Sequence, residues 1–295
     1  MPYKKKFFET KGGERLAYYL TSEDKPLLCL VHGNYSKSSV WFPLMKDFEN
    51  DYSVLAVDLR GYGDSSWNNP VDTLEALATD LIEVIKGLGF THGDFIAWSL
   101  GGGVAMELAA KEPKMVDHLV LTASMGVQGY PMFEFDPETM TPLPDKPLTS
   151  KEGIAASMYY LPMKQMLDTD QDEALGQTFQ AMFAKNPPTG EFLDDCVLGM
   201  KQQQNLLDMD YALLQFNITA DNNGTFDGSD RLKDITAPVL ILHGESDNVV
   251  PVQLAQLNKQ YFGDQAKLVI FEDAGHGVHI DQPEKWYKEV RSFLG

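Results

Sequence analysis

Gly93-Asp94-Phe95-Ile96-Ala97-Trp98-Ser99-Leu100-Gly101-Gly102-Gly103-Val104-Ala105-Met106 changes its hydrophobic period at one residue. Phe95 to Ala97 is a short apolar run of buried-strand type, and Val104 to Ala110 consists of good helix formers, so the switch from strand to helix falls on Ser99. Each glycine costs roughly 1 kcal/mol relative to alanine in a helix. Gly101, Gly102 and Gly103 in succession therefore suit a place where backbone approaches too closely for any Cβ.

Ala97-Trp98-Ser99-Leu100-Gly101 has the G-x-S-x-G spacing of a nucleophile elbow, with alanine in the first glycine position. A serine that only caps a helix would use the same residues. A nucleophile also needs a base, an acid to orient that base and donors for an oxyanion, and the remaining chain has to supply them.

Working outward, Lys5 to Glu9 and Arg15 to Leu20 flank Lys11-Gly12-Gly13 as a β-hairpin. Pro26 to Gly33, Ser53 to Asp58, His118 to Ala123, Ala237 to Gly244 and Lys267 to Phe271 read as further strands, several of them continuous apolar runs of the kind buried on both faces. Helices alternate with them. One begins near Val40 with Trp41, Leu44, Met45 and Phe48 on one face, and another opens with a capping box at Asp72-Thr73-Leu74-Glu75. A third runs from Pro251 to Phe262, and the last starts at Gln282-Pro283-Glu284 with Trp286, Val290 and Phe293 as its packing face. This is an α/β chain with a doubly wound, mostly parallel sheet. The rhythm lapses over residues 127–232, where a proline-rich opening leads into helical pattern carrying Met158, Met163, Met166 and Met182. Residues 1–126 and 233–295 are thus read as the core, with 127–232 as a helical insertion.

Ligands in open parallel sheets gather beyond the carboxyl ends of the strands. Loops with reactive residues follow the strands there at His32-Gly33-Asn34-Tyr35, Glu245-Ser246-Asp247-Asn248 and Asp273-Ala274-Gly275-His276-Gly277. His276, between glycines, is the expected base, with His279 its competitor. Of the other histidines, His32 and His243 precede glycines at strand ends and read as structural, while His92 and His118 lie at the opposite ends of their strands. Asp247 is the expected acid, ahead of Glu245, although an aspartate before Val249-Val250-Pro251 could simply cap a turn. Asp64 reads as a turn residue. The backbone N–H groups of Leu100, at a helix N-terminus, and of Asn34 are the expected oxyanion donors. Tyr35 and Trp98 are the expected pocket-lining side chains, with packing against the insertion as the alternative.

A net charge of −19 argues against nucleic acid and anionic membrane surfaces as partners. The two cysteines, Cys29 and Cys196, have neither disulfide-framework nor metal-site spacing, and the acidic run from Asp168 to Glu173 lacks the turn of a calcium loop. No metal and no cofactor is expected. Neither a signal-peptide core nor a membrane-length apolar run is present, so the expected location is cytoplasmic.

Together, the strand ending His32-Gly33, Asp58-Leu59-Arg60-Gly61-Tyr62-Gly63-Asp64-Ser65, the Ser99 elbow, His243-Gly244-Glu245-Ser246-Asp247 with Val250-Pro251, and Gly275-His276 with Gln282-Pro283-Glu284 resemble the α/β-hydrolase-fold serine hydrolases. The order serine, aspartate, histidine matches that family. The resemblance implies that the insertion is a cap over the active site, between the sixth and seventh main strands. Within the family the chain is similar to 3-oxoadipate enol-lactonase-like esterases. His32-Gly33-Asn34 with Trp98-Ser99-Leu100-Gly101 also resembles intracellular polyhydroxybutyrate depolymerases, whose apolar polyester a methionine-rich cap would suit.

The expected activity is cofactor-free hydrolysis of a small-molecule or oligomeric ester, lactone or 3-hydroxyalkanoate oligoester through an acyl-enzyme. Carbon–carbon bond hydrolysis or cofactor-free peroxidation could use the same residues, and a ligand-binding receptor could keep the fold without turnover. Haloalkane and epoxide chemistry is disfavoured, because an aspartate holds the nucleophile position in those relatives.

Overall fold

A computed structural model describes residues 3–295. The sequence pattern closes into an eight-stranded sheet in the order β1-β2-β4-β3-β5-β6-β9-β10. Its strands are β1 (Lys6–Glu9), β2 (Arg15–Leu20), β3 (Leu27–Val31), β4 (Ser53–Val57), β5 (Gly93–Trp98), β6 (Val116–Thr122), β9 (Val239–Gly244) and β10 (Ala266–Phe271). β1 and β2 form the expected antiparallel hairpin, β2 joins β4 antiparallel, and every later pairing in the sheet is parallel.

Strict alternation explains why these runs are buried on both faces. Leu27, Cys29, Val31, Phe95, Ala97, Val239 and Ile241 join one core cluster, which α2 (Leu74–Gly87), α3 (Leu100–Lys111) and α9 (Val252–Phe262) cover. Leu28, Leu30, Ile96, Trp98, Leu240 and Leu242 join the other, with Trp41 and with residues of α1 (Phe42–Phe48), α10 (Val278–Asp281) and α11 (Pro283–Leu294). Trp286 and Val290 of α11 are buried, whereas Phe293 only packs at the margin. Helix α2 is capped by Thr73, whose hydroxyl accepts from Ala76 N at 3.3 Å, one residue later than the capping box places it. Glu75 is thereby released to pair with Lys111 and Arg231.

Strand order reverses around β3: β4 lies on one side of it and β5 on the other. The carboxyl ends of β3 and β5 therefore border the crevice where ligands collect in such sheets.

Between β6 and β9 the chain contributes no strand to the main sheet. Its opening, for which the prolines gave no element, forms a two-stranded hairpin, β7 (Phe133–Phe135) with β8 (Pro142–Pro147). Prolines are tolerated there because a two-stranded ribbon is all edge. Five helices follow: α4 (Lys151–Ala155), α5 (Leu161–Asp168), α6 (Asp172–Gln180), α7 (Gly190–Lys201) and α8 (Leu206–Gln215). Met163 is buried with Leu175, Phe179 and Phe183, while Met158 is exposed. Among the described residues no helix is long and apolar enough to cross a membrane.

Candidate active site

Ser99 stands between β5 and α3 at φ 57°, ψ −125°, a conformation that costs an ordinary side chain on the order of 1–3 kcal/mol. The surroundings hold it there. Ser99 N donates to Thr122 O at 3.1 Å and Ser99 O accepts from Met125 N at 3.2 Å. Glycine is required on both sides of the turn. A Cβ on Gly101 would lie 2.5 Å from Val31 O, and one on Gly33 would lie 2.8 Å from Ser99 Cβ. Those contacts bring the ends of β3 and β5 together, so the loop after His32-Gly33 abuts the serine. Tyr35 and Ala123, which follow β3 and β6, also have positive φ, and backbone strain thus gathers around one point.

The histidine loop leaves β10 and folds back over β9. His276 Nδ1 lies 2.9 Å from Asp247 Oδ2, and both side chains are buried. Asp247 Oδ1 accepts the N–H groups of Val249 at 2.9 Å and Val250 at 2.8 Å, which orients the carboxylate. His243 Nε2 lies 3.3 Å from Oδ2 and 2.8 Å from Val250 O. Burial alone would raise the Asp247 carboxyl, but the charge and hydrogen bonds of His276 and His243 outweigh it and hold the group well below the usual carboxylate range. An ionised Asp247 fixes the proton on Nδ1 and leaves Nε2 free to act as a base.

Ser99, Leu100, Asn34, Tyr35 and His276 line one cavity of about 180 Å³. Among the described residues no hydrogen bond joins Ser99 to His276, a contact that commonly tightens only with substrate bound. The backbone N–H groups of Leu100 and Asn34 likewise have no partner among the described residues, which leaves both available to a developing oxyanion.

The other sequence candidates separate cleanly. His32 donates Nδ1–H to Gly33 O at 2.8 Å and accepts from Leu59 N at Nε2, a structural pairing. His92 and His118 pair with Asp117 and Asp94 at the far ends of their strands. Glu245 is exposed, and Asp64 pairs with Lys5 and donates its N–H to Asp58. His279 lies in a box made by Trp41, Trp98 and Trp286, with no partner on either ring nitrogen among the described residues. Trp98 borders the cavity, but its indole is 1% exposed, stacks against His276 and donates to His276 O at 2.9 Å. It supports the histidine loop from below more than it offers a binding surface.

Sequence reasoning expected a methionine-rich cap over the site and named Met182, but not the other residues that the segment adds to the wall. Tyr130, Met132, Tyr159, Met182, Asp210 and Leu213 complete the cavity. It also missed Asp281, whose carboxylate accepts the N–H groups of Ala184, Lys185 and Asn186 at 2.9 Å each and of Gly275 at 2.8 Å. His276 N in turn donates to Met182 O at 2.8 Å, so the histidine loop and the insertion are tied directly. A signal for Asp210 did exist: at helical spacing it shares a buried face with Leu206 and Leu214.

A strained serine at a strand-to-helix turn, beside a buried His–Asp pair at the carboxyl edge of a parallel sheet, defines a class of hydrolytic folds. Residues 26–283 match the family model described as alpha/beta hydrolase fold, and the chain belongs to that family. It is 27% identical over 272 residues to pimeloyl-(acyl-carrier protein) methyl ester esterase of Nitrosomonas europaea, a match that covers 90% of this chain and 94% of that protein. Human epoxide hydrolase 4 is 26% identical over 294 residues, with 96% of this chain and 76% of that protein covered. Among solved structures, an esterase from Exiguobacterium antarcticum superposes with a TM-score of 0.74 at 21% identity, covering 99% of each chain. The enol-lactonase from Burkholderia xenovorans does so with a TM-score of 0.71 at 18% identity, over 98% of this chain and 99% of that one. At such identities the two structures share its fold.

Proposed function

We propose that this hydrolase cleaves carboxylic esters with Ser99 as nucleophile, His276 as general base and acid, and Asp247 as the orienting carboxylate. The observation that carries the reading is the His276–Asp247 pair, 2.9 Å apart, on the same cavity as Ser99 and two unpartnered backbone N–H groups. Ser99 Oγ attacks the ester carbonyl as its proton passes to His276 Nε2. The resulting oxyanion takes the N–H groups of Leu100 and Asn34, each such donor supporting the transition state by about 2.7–4 kcal/mol. Collapse breaks the bond to the leaving alkoxide, which takes the proton from His276 and departs as the alcohol. Water then attacks the acyl-enzyme, giving its proton to Nε2, and the acid leaves as Ser99 recovers that proton.

A cavity of about 180 Å³ is smaller than the 300–1,000 Å³ common for ligand clefts, which favours a small acyl group over a polymer surface. In this reading residues 127–232 act as a cap that closes over the bound ester. The similarity to a methyl ester esterase supports ester chemistry, and the serine at position 99 supports an acyl-enzyme.

The test is a single-turnover reaction with a short-chain activated ester, followed by mass spectrometry. Wild type is expected to give a burst and an acyl adduct on the Ser99 peptide, and Ser99→Ala to lose turnover by about 10⁶-fold. A wild-type enzyme with neither adduct nor turnover on any ester defeats the reading in favour of a receptor or non-ester chemistry.

A further inference from the structure

Asp210 projects from α8 and is 4% exposed at the wall of the catalytic cavity. Its Oδ1 accepts from Asn34 Nδ2 at 3.3 Å, while Oδ2 is itself shielded from solvent and has no partner among the described residues. The orientation of Asn34 is not free, since its own Oδ1 already accepts from Tyr62 Oη at 2.7 Å and Gln203 Nε2 at 2.8 Å. Nδ2 must therefore face Asp210. No lysine or arginine lines the cavity to neutralise the carboxyl.

Holding Asn34 does not account for this residue. An asparagine at position 210 could accept from Asn34 equally well without placing an ionisable group in a buried wall. Burial pushes the Asp210 carboxyl up to about 7, so near neutrality both protonation states are present. Either state is completed by the same thing. A substrate hydroxyl can donate to the ionised form or exchange hydrogen bonds with the neutral one, an ammonium group pairs with the ionised form, and a carboxylate is repelled by it.

We infer that Asp210 is a specificity-determining residue whose free carboxyl oxygen receives a hydrogen-bond donor of the substrate, a hydroxyl or ammonium group, and disfavours esters that carry a carboxylate. The inference rests on the ester-hydrolase reading of Ser99. It narrows the substrate from any small ester to one bearing a neutral or cationic donor close to the reacting carbonyl.

The experiment compares kcat/KM of wild type, Asp210→Asn and Asp210→Leu on ethyl butyrate, ethyl 3-hydroxybutyrate, ethyl 3-aminobutyrate and monoethyl succinate. 2-Hydroxyethyl butyrate against propyl butyrate covers the alcohol side. Wild type is expected to favour at least one donor-bearing ester over its plain counterpart by about tenfold or more, with monoethyl succinate the poorest substrate. Asp210→Leu is expected to bring each of the three donor-to-plain ratios close to one. Asp210→Asn separates the two donors: a hydroxyl preference survives in part, because the amide oxygen still accepts, and an ammonium preference disappears. The ratios are the readout, since a residue that only positions Asn34 would slow all esters alike. Turnover with no donor preference in wild type, or with ratios that Asp210→Leu leaves unchanged, overturns the inference while the esterase reading stands. Absence of turnover and of a Ser99 adduct on every ester overturns both.

Discussion

His276 and Asp247 meet in a buried hydrogen bond of 2.9 Å, Nδ1 to Oδ2, although they come from loops 29 residues apart. The same Oδ2 faces His243 Nε2, while Oδ1 takes two backbone N–H groups, so every direction open to the carboxylate is occupied. That arrangement permits one tautomer of His276. Asp247→Asn should preserve the contacts at Oδ1 but present an amide N–H to Nδ1, which moves the ring proton to Nε2, the nitrogen that would have to accept from Ser99. Its kcat/KM on an activated ester should fall by about 10⁴-fold, with a thermal midpoint close to wild type.

His279, the competing histidine, is held near pKa 3 by burial, with the neighbouring His276 adding to the effect. Its folded value is depressed below the unfolded value near 6.5, so the neutral form is favoured in the fold. The stability contributed is complete above about pH 6.5 and is lost as pH falls toward 3. Since neither ring nitrogen has a partner among the described residues, His279→Phe should leave stability at pH 7 unchanged or higher and should flatten the acid limb of a denaturant-midpoint profile. Ester turnover should persist in this variant and vanish in His276→Ala. The reverse pattern would exchange their roles.

Asp281 gathers four N–H groups from two segments that lie about 90 residues apart in sequence. Burial opposes its ionisation, but the hydrogen bonds from Ala184, Asn186, Gly275 and Lys185 outweigh it and lower its pKa. The contribution to stability is present above the ordinary carboxylate range and lost as pH falls through the folded value. Asp281→Asn should cost on the order of 3 kcal/mol in equilibrium unfolding at pH 7. It should also reduce kcat, because Gly275 immediately precedes His276, the proposed base.

The elbow glycines make a steric prediction. Gly101→Ala places a methyl group 2.5 Å from Val31 O and 2.6 Å from His32 O, and neither backbone atom belongs to a flexible side chain. The ends of β3 and β5 must separate to admit it. We expect a loss of roughly 1–3 kcal/mol in unfolding free energy and a larger proportional loss of turnover, since Asn34 moves with β3.

The sheet, and the loops that carry Ser99, Asp247 and His276 to its carboxyl edge, were legible in the sequence because each depends on a contiguous stretch. Alternating runs such as Leu27–Val31 and Val239–Gly244 carry their own burial pattern, and the strand-to-helix switch at Ser99 is complete between Gly93 and Met106. Trp98 was half legible: its alternation with Ile96 places the indole on the face of Leu28 and Leu30, but only the folded chain sets His276 against it. The α2 cap at Thr73 and the proline-bearing hairpin β7–β8 turned on side-chain geometry and edge position, which composition leaves open. Helical spacing could have marked Asp210 as buried, but its partners, like those of Asp281, were out of reach for a different reason. Asn34 and Asp210 are 176 residues apart, and what makes Asp210 notable is that its second oxygen has no partner among the described residues, a property of where residues 127–232 land on the sheet. Local pattern determined the fold and the chain order of Ser99, Asp247 and His276; the docking of residues 127–232 onto the strand ends decided the shape and charge of the cavity that Ser99 and His276 line.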